Sequence, residues 1–135
     1  MIALDTNVLV RYLVNDDTRQ AKAARLLLND LTAERPGFVC REVVVELVWV
    51  LRRAYRFPRE SIAAALEKLV AARELEFEAG EDVARAIFSY TTGTAGFSDL
   101  MIVSAARRSG AYPLYTFDRK AAQLDGAAGL ADDDP

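Results

Sequence analysis

The sequence predicts an α/β fold, with a short central parallel β-sheet flanked by helices on both faces. Two observations carry that expectation. Brief apolar runs at Met1–Leu4, Phe38–Cys40, Leu75–Glu78 and Pro113–Thr116 alternate with longer segments whose apolar residues recur at helical spacing. No repeat or linker interrupts the 135 residues, so residues 1–135 read as a single domain.

Each element has a local reason. Met1–Leu4 is an apolar run that stops at Asp5, as a buried parallel strand would. Val8–Val14 follows as a helix that Asp5, Thr6 or Asn7 can cap. Asp17 with Gln20 resembles a capping box, opening a helix whose apolar face is Ala21, Ala24, Leu27, Leu28 and Leu31. Pro36-Gly37 turns the chain into the strand Phe38–Cys40. A third helix, Arg41 to Tyr55, faces inward with Val43, Val44, Leu47, Val50, Leu51 and Ala54. Pro58 suits the first turn of a fourth, which carries Ile62, Leu66, Leu69 and Val70.

Leu75-Glu76-Phe77-Glu78 alternates like a strand with one wet face. Gly80 opens a fifth helix with Val83, Ala86, Ile87 and Tyr90 inward, and Thr91–Gly96 is a small-residue loop. The sixth helix spans Ser98 to Ser109 and stops at Gly110. Pro113–Thr116 is the last strand, and Asp118 begins a helical turn reaching Leu124. The acidic tail, Asp132 to Asp134 with Pro135, is expected to be solvated and frayed.

Composition narrows the chemistry. The chain has no histidine, which excludes Ser-His-Asp and Cys-His nucleophiles, histidine acid–base ribonucleases and His-ligated zinc. Carboxylates remain, with or without hard cations. The lone cysteine, Cys40, forms no internal disulfide and reads as a small buried hydrophobe in a reducing compartment. Neither a basic, apolar leader nor a bilayer-length apolar run is present, so a cytoplasmic protein without membrane contact is expected. A net charge of −3 disfavours non-specific coating of nucleic acid, although bound cations can reverse the sign of a local site.

Four acids stand where such a site is expected. Ligands of open parallel sheets bind beyond the carboxyl ends of the strands. Asp5 ends the first strand and Asp118 follows the last one; each is equally readable as a helix cap. Asp99 heads a stripe with Ile102, Val103 and Ala106, which points its carboxylate inward or into a crevice; the other reading is a first-turn Asp serving the helix dipole. Glu46 and Glu42 project the same way from the third helix, and Glu46 borders its apolar arc. Converging anions without counter-charge repel one another, so the set makes sense around Mg²⁺ or Mn²⁺.

The chain resembles the PIN-domain ribonucleases, and within them the VapC-like toxins of bacterial toxin–antitoxin pairs. The likeness rests on Leu4-Asp5-Thr6-Asn7-Val8-Leu9, Glu46-Leu47-Val48-Trp49-Val50-Leu51, Asp99-Leu100-Met101-Ile102 and Thr116-Phe117-Asp118-Arg119, which occur in the family's order. It implies a PIN-like fold, a Mg²⁺- or Mn²⁺-dependent endoribonuclease acting on RNA, a homodimer and an inhibitory VapB-like antitoxin. By the same likeness Asp5, Glu46, Asp99 and Asp118 are metal ligands and catalytic residues, which selects Glu46 over Glu42. Thr6, Asn7 and Thr116 are their supports. Relatives often carry a further acid where this chain has Gly96. A phospho-acceptor domain with an aspartyl nucleophile and an RNA-binding scaffold without cleavage are the competing classes. Arg11, Arg41, Arg107, Arg108, Arg119 and Lys120 read either as phosphate contacts or as helix-surface charge, and so does the Arg52-Arg53-Arg56 cluster. Val45 and Trp49 lie outside the apolar arc of their helix, as a contact surface or a face covered by a neighbouring helix would.

Overall fold

The computed structural model describes residues 1–131; the acidic tail expected to be solvated lies outside the described residues. Three strands, β1 (Ile2–Ala3), β2 (Gly37–Val39) and β3 (Leu75–Phe77), form a parallel sheet in the order β1-β2-β3. Their register pairs Ile2 with Gly37 and Phe38 with Glu76. Close packing at Gly37 explains why the middle strand begins on a glycine. A Cβ there would sit 2.8 Å from Leu4 Cδ1 and 2.9 Å from Leu31 Cδ1. The parallel sheet and its helices bear out the α/β expectation.

The fourth expected strand behaves differently. β4 (Leu114–Thr116) pairs in parallel with β5 (Ala127–Gly129), and these two form a sheet of their own. β5 was not foreseen, because Ala127-Ala128-Gly129 has neither β-branched nor aromatic residues. The expected helical turn after Asp118 is a short 3₁₀ turn, Ala121–Gln123.

Helix α1 (Thr6–Leu13) starts ahead of the expected Val8 because Asp5 caps it directly: Asp5 Oδ1 accepts from the Thr6 N–H at 2.7 Å. In α2 (Thr18–Asn29) only half of the capping box forms. Asp17 Oδ1 accepts from the Gln20 N–H at 3.0 Å, while the Gln20 side chain turns to Arg11 Nε at 2.6 Å. Helix α3 (Arg41–Arg53) ends before Tyr55, and Pro58 stands at the cap of α4 (Arg59–Ala71) rather than inside its first turn. Helix α5 (Gly80–Thr92) runs into the expected Thr91–Gly96 loop, and α6 (Phe97–Arg108) follows.

One core joins these elements. Leu9, Val39, Val44, Leu47, Leu51, Ile62, Leu66, Val83 and Met101 are fully buried in it, and the expected face of α5 is buried throughout. Four inward assignments fail. The first strand, expected to be buried, is exposed at Met1–Ala3 because β1 lies at the edge of the sheet, and only Leu4 reaches the core. Leu27 and Ala54 are exposed, and Ile102 is 51% exposed because α6 turns Phe97, Leu100, Met101 and Val103 inward instead. Cys40 is half-buried against the core rather than enclosed by it. No helix among the described residues is long and apolar enough to cross a membrane.

Candidate active site

The acids sit at junctions of elements. Asp5 links β1 to α1, with Oδ1 held by the Thr6 amide and its other oxygen without a hydrogen bond among the described residues. Asp118 follows β4 and is held in the same manner. Its Oδ1 accepts from the Ala121 N–H at 2.9 Å, and its own N–H donates to Thr116 Oγ1 at 3.0 Å. Both expected caps therefore form, each committing one carboxylate oxygen and sparing the other.

Asp99 lies in the first turn of α6, half-buried. Burial and then the charge of Asp118 push its carboxyl above the ordinary range, so Asp118, after β4, lies within electrostatic reach of α6. Gly96 makes room for this carboxylate: a Cβ at Gly96 would lie 3.3 Å from Asp99 Oδ2. Glu46 is exposed on α3 and borders a groove with Trp49 and Ile102, while Asn7 borders another beside Arg11 and Gln20.

Of the four acids, Asp99 is the one on which the charge of another, Asp118, acts. Among the described residues, Asp5, Glu46, Asp99 and Asp118 supply no three ligand atoms all within 4.8 Å of one another. The group that does is Cys40, Glu42 and Glu78, whose thiol is a soft ligand and whose Glu78 Oε1 accepts from the Arg41 N–H at 2.9 Å.

The chemistry of the donors nevertheless suits a hard divalent cation. Thr6 Oγ1, next to Asp5, is buried, closed off from solvent and without a hydrogen-bond partner among the described residues, so the open oxygens are those of the acids. Moreover, none of the four acids takes part in an ion pair among the described residues, although Asp99 is partly desolvated beside Asp118. Mg²⁺ and Mn²⁺ bind oxygens of this type and supply the missing charge.

Asp82 shows what a neutralised acid looks like in the same molecule. It is buried in the first turn of α5, receiving Arg108 Nε at 3.0 Å and Arg41 NH1 at 3.3 Å. Burial pushes its carboxyl up, but the two guanidinium groups outweigh that and hold it below the ordinary range. Arg41 also donates to the Met101 carbonyl at 2.7 Å, so one side chain ties α3 to α5 and α6.

A second clamp acts on the α6 entry. Arg59 donates to the carbonyls of Tyr90 and Ala95, and its guanidinium lies 3.8 Å from the centre of the Tyr90 ring. Tyr90 meets Phe97 edge-on at 5.7 Å. The α5–α6 loop and the turn carrying Asp99 are thereby fixed from α4. Sequence reading missed both clamps, since their partners are distant along the chain.

The basic residues separate into two groups. Arg11 pairs with Asp16, Arg107 with Asp125, and Arg41 and Arg108 with Asp82, which favours their structural reading. Arg52, Arg53, Arg119 and Lys120 have no ion-pair partner among the described residues.

The chain is similar to a VapC ribonuclease of Aquifex aeolicus (strain VF5), at 25% identity over 124 residues that cover 92% of each chain. The family model described as PIN domain matches residues 2–127, nearly the full length. The chain belongs to the PIN domain family.

Proposed function

We propose that this protein is a Mg²⁺- or Mn²⁺-dependent endoribonuclease of the VapC type. One catalytic unit spanning the chain cuts RNA in the cytoplasm, works as a homodimer and is restrained by a cognate VapB-like antitoxin. The VapC ribonuclease relative supports the substrate class. The observation that carries the chemistry is Asp99, partly desolvated and within electrostatic reach of Asp118 without a counter-cation.

The chain's own groups divide the work. Thr6 and Ala121 amides fix one oxygen each of Asp5 and Asp118, which orients the spare oxygens towards the ligand. Thr116 steadies Asp118 through its backbone N–H, and Thr6 and Asn7 brace the Asp5 turn. Asp5, Asp99 and Asp118 would hold the cation, which when bound would lower the pKa of water and offset charge on the phosphate. Glu46 completes the ligand set or orients the attacking water. In-line attack on phosphorus then breaks the bond to the ribose 3′ oxygen, which leaves with a proton. The products are a 5′ phosphate and a 3′ hydroxyl.

Incubating the protein with RNA in Mn²⁺, then with EDTA in excess, tests this reading. Cleavage in Mn²⁺, none in EDTA and none with Asp99→Asn are expected. Equal cleavage by wild type and Asp99→Asn would sink it.

A further inference from the structure

We infer that a pocket between α3 and the start of α6 binds one unpaired nucleotide beside the scissile phosphate; this rests on the ribonuclease reading. The pocket has a volume of about 360 Å³, and Trp49, Arg52, Arg53, Gly96 and Ser98 stand on its walls over an apolar floor. Gly96 connects it to the acids, because the position of its missing Cβ lies 3.3 Å from Asp99 Oδ2. A nucleotide seated there would pass its backbone along Gly96, the wall that adjoins Asp99.

The walls match that ligand in shape and sign. Trp49 is 59% exposed and offers indole surface on which a base can stack. The Arg53 guanidinium lies 5.9 Å from the centre of the Trp49 ring. Neither Arg52 nor Arg53 meets a carboxylate within 4.0 Å among the described residues, so both are available to a phosphate. Charge favours one side of Trp49: the pocket carries Arg52 and Arg53 and no acid, whereas the groove on the other side carries Arg41 with Glu42 and Glu46. A base still stacked and paired in a duplex cannot enter the pocket, which selects single-stranded RNA.

Trp49 is the one tryptophan of the chain, so its emission reports on this pocket. The test uses the full chain carrying Asp5→Asn in Mg²⁺, with a labelled single-stranded hexaribonucleotide, an abasic hexamer and a hexamer duplex. Saturable quenching of Trp49 by the single strand is expected, in step with its anisotropy. The abasic strand and the duplex should bind about tenfold more weakly, which is 1.4 kcal/mol. Adding Arg52→Ala and Arg53→Ala should leave the melting temperature unchanged and flatten the slope of log K against log salt by about 0.7 per arginine.

Three results overturn the inference: binding without quenching, no binding at saturating protein, or an affinity indifferent to both arginine substitutions. Emission that follows protein dilution and ignores RNA assigns the surface to a second copy of the chain and also overturns it. Cleavage by wild type is scored separately. Cleavage without quenching removes the pocket alone, whereas quenching without cleavage removes the nuclease reading and leaves the pocket.

Discussion

Replacing Asp82 by asparagine removes the one charge that Arg41 and Arg108 share inside the protein, while keeping the shape of the side chain. Breaking a buried ion pair by deleting one partner costs about 3–5 kcal/mol. The loss here falls at or below that range, because Arg41 keeps its bond to the Met101 carbonyl and Arg108 is half-exposed to water. We expect about 2–3 kcal/mol, a large fraction of the ~5–15 kcal/mol that holds a domain together. In urea this moves the midpoint down by roughly 1–2 M at the slopes of small proteins, and in heat it lowers Tm by about 8–12 °C. The acid limb supplies the second reading. Asp82 has its folded carboxyl below the ordinary range, so its stabilisation is present above the unfolded pKa of about 3.9 and is lost as pH falls through the folded value. The gap between wild type and Asp82→Asn should therefore narrow below about pH 4. The exposed Glu81–Arg85 pair is the control, and Glu81→Gln should change stability by under ~0.5 kcal/mol. A urea midpoint that Asp82→Asn leaves in place, or a gap that stays constant into acid, refutes the reasoning.

Three further predictions concern the site. Asp99→Asn should raise the melting temperature in EDTA while abolishing cleavage. Because the folded carboxyl is raised, its contribution is full below the unfolded pKa and lost as pH rises through the folded value, so the stabilising effect should grow from pH 4 towards neutrality; a destabilised variant would contradict it. Thr6→Val removes a buried oxygen that lacks a partner, and should be neutral or up to ~1 kcal/mol stabilising in EDTA, as read by urea unfolding; a clear loss of stability would contradict it. Arg59→Met frees the Tyr90 and Ala95 carbonyls and should raise the Mn²⁺ dissociation constant about tenfold at a temperature where its circular dichroism matches wild type; unchanged Mn²⁺ affinity would make Arg59 purely structural.

Local signals in the sequence were reliable wherever one residue decides the structure. The Asp17 cap, the wet and dry faces of β3 and the inward face of α5 follow from side chains within a few positions of one another. Position of Asp5 and Asp118 at strand ends was legible for the same reason. Reading failed where two registers share residues. On α6 the stripes Asp99-Ile102-Val103-Ala106 and Phe97-Leu100-Met101-Val103 overlap at Val103, and only packing against α3 and α5 selects the second. β5 escaped because its alanines and glycine are strand-forming only with β4 alongside. Glu46 could be assigned to a helix face but not placed relative to Asp99, since α3 meets α6 through residues far apart along the chain, such as Arg41 and Met101.

Asp82 and Asp99 make the functional argument by contrast. Both are aspartates in the first turn of neighbouring helices, both are at least partly withdrawn from water, and the dipole at a helix N-terminus favours each equally. The chain surrounds one with arginines and gives the other a second carboxylate. Repulsion of that kind lowers stability, and the fold carries it because the apolar core supplies the driving force. An RNA phosphate adds a further negative charge and would be turned away from a bare pair of acids. On the proposed reading, a divalent ion would give Asp99 and Asp118 the positive charge that Arg41 and Arg108 give Asp82.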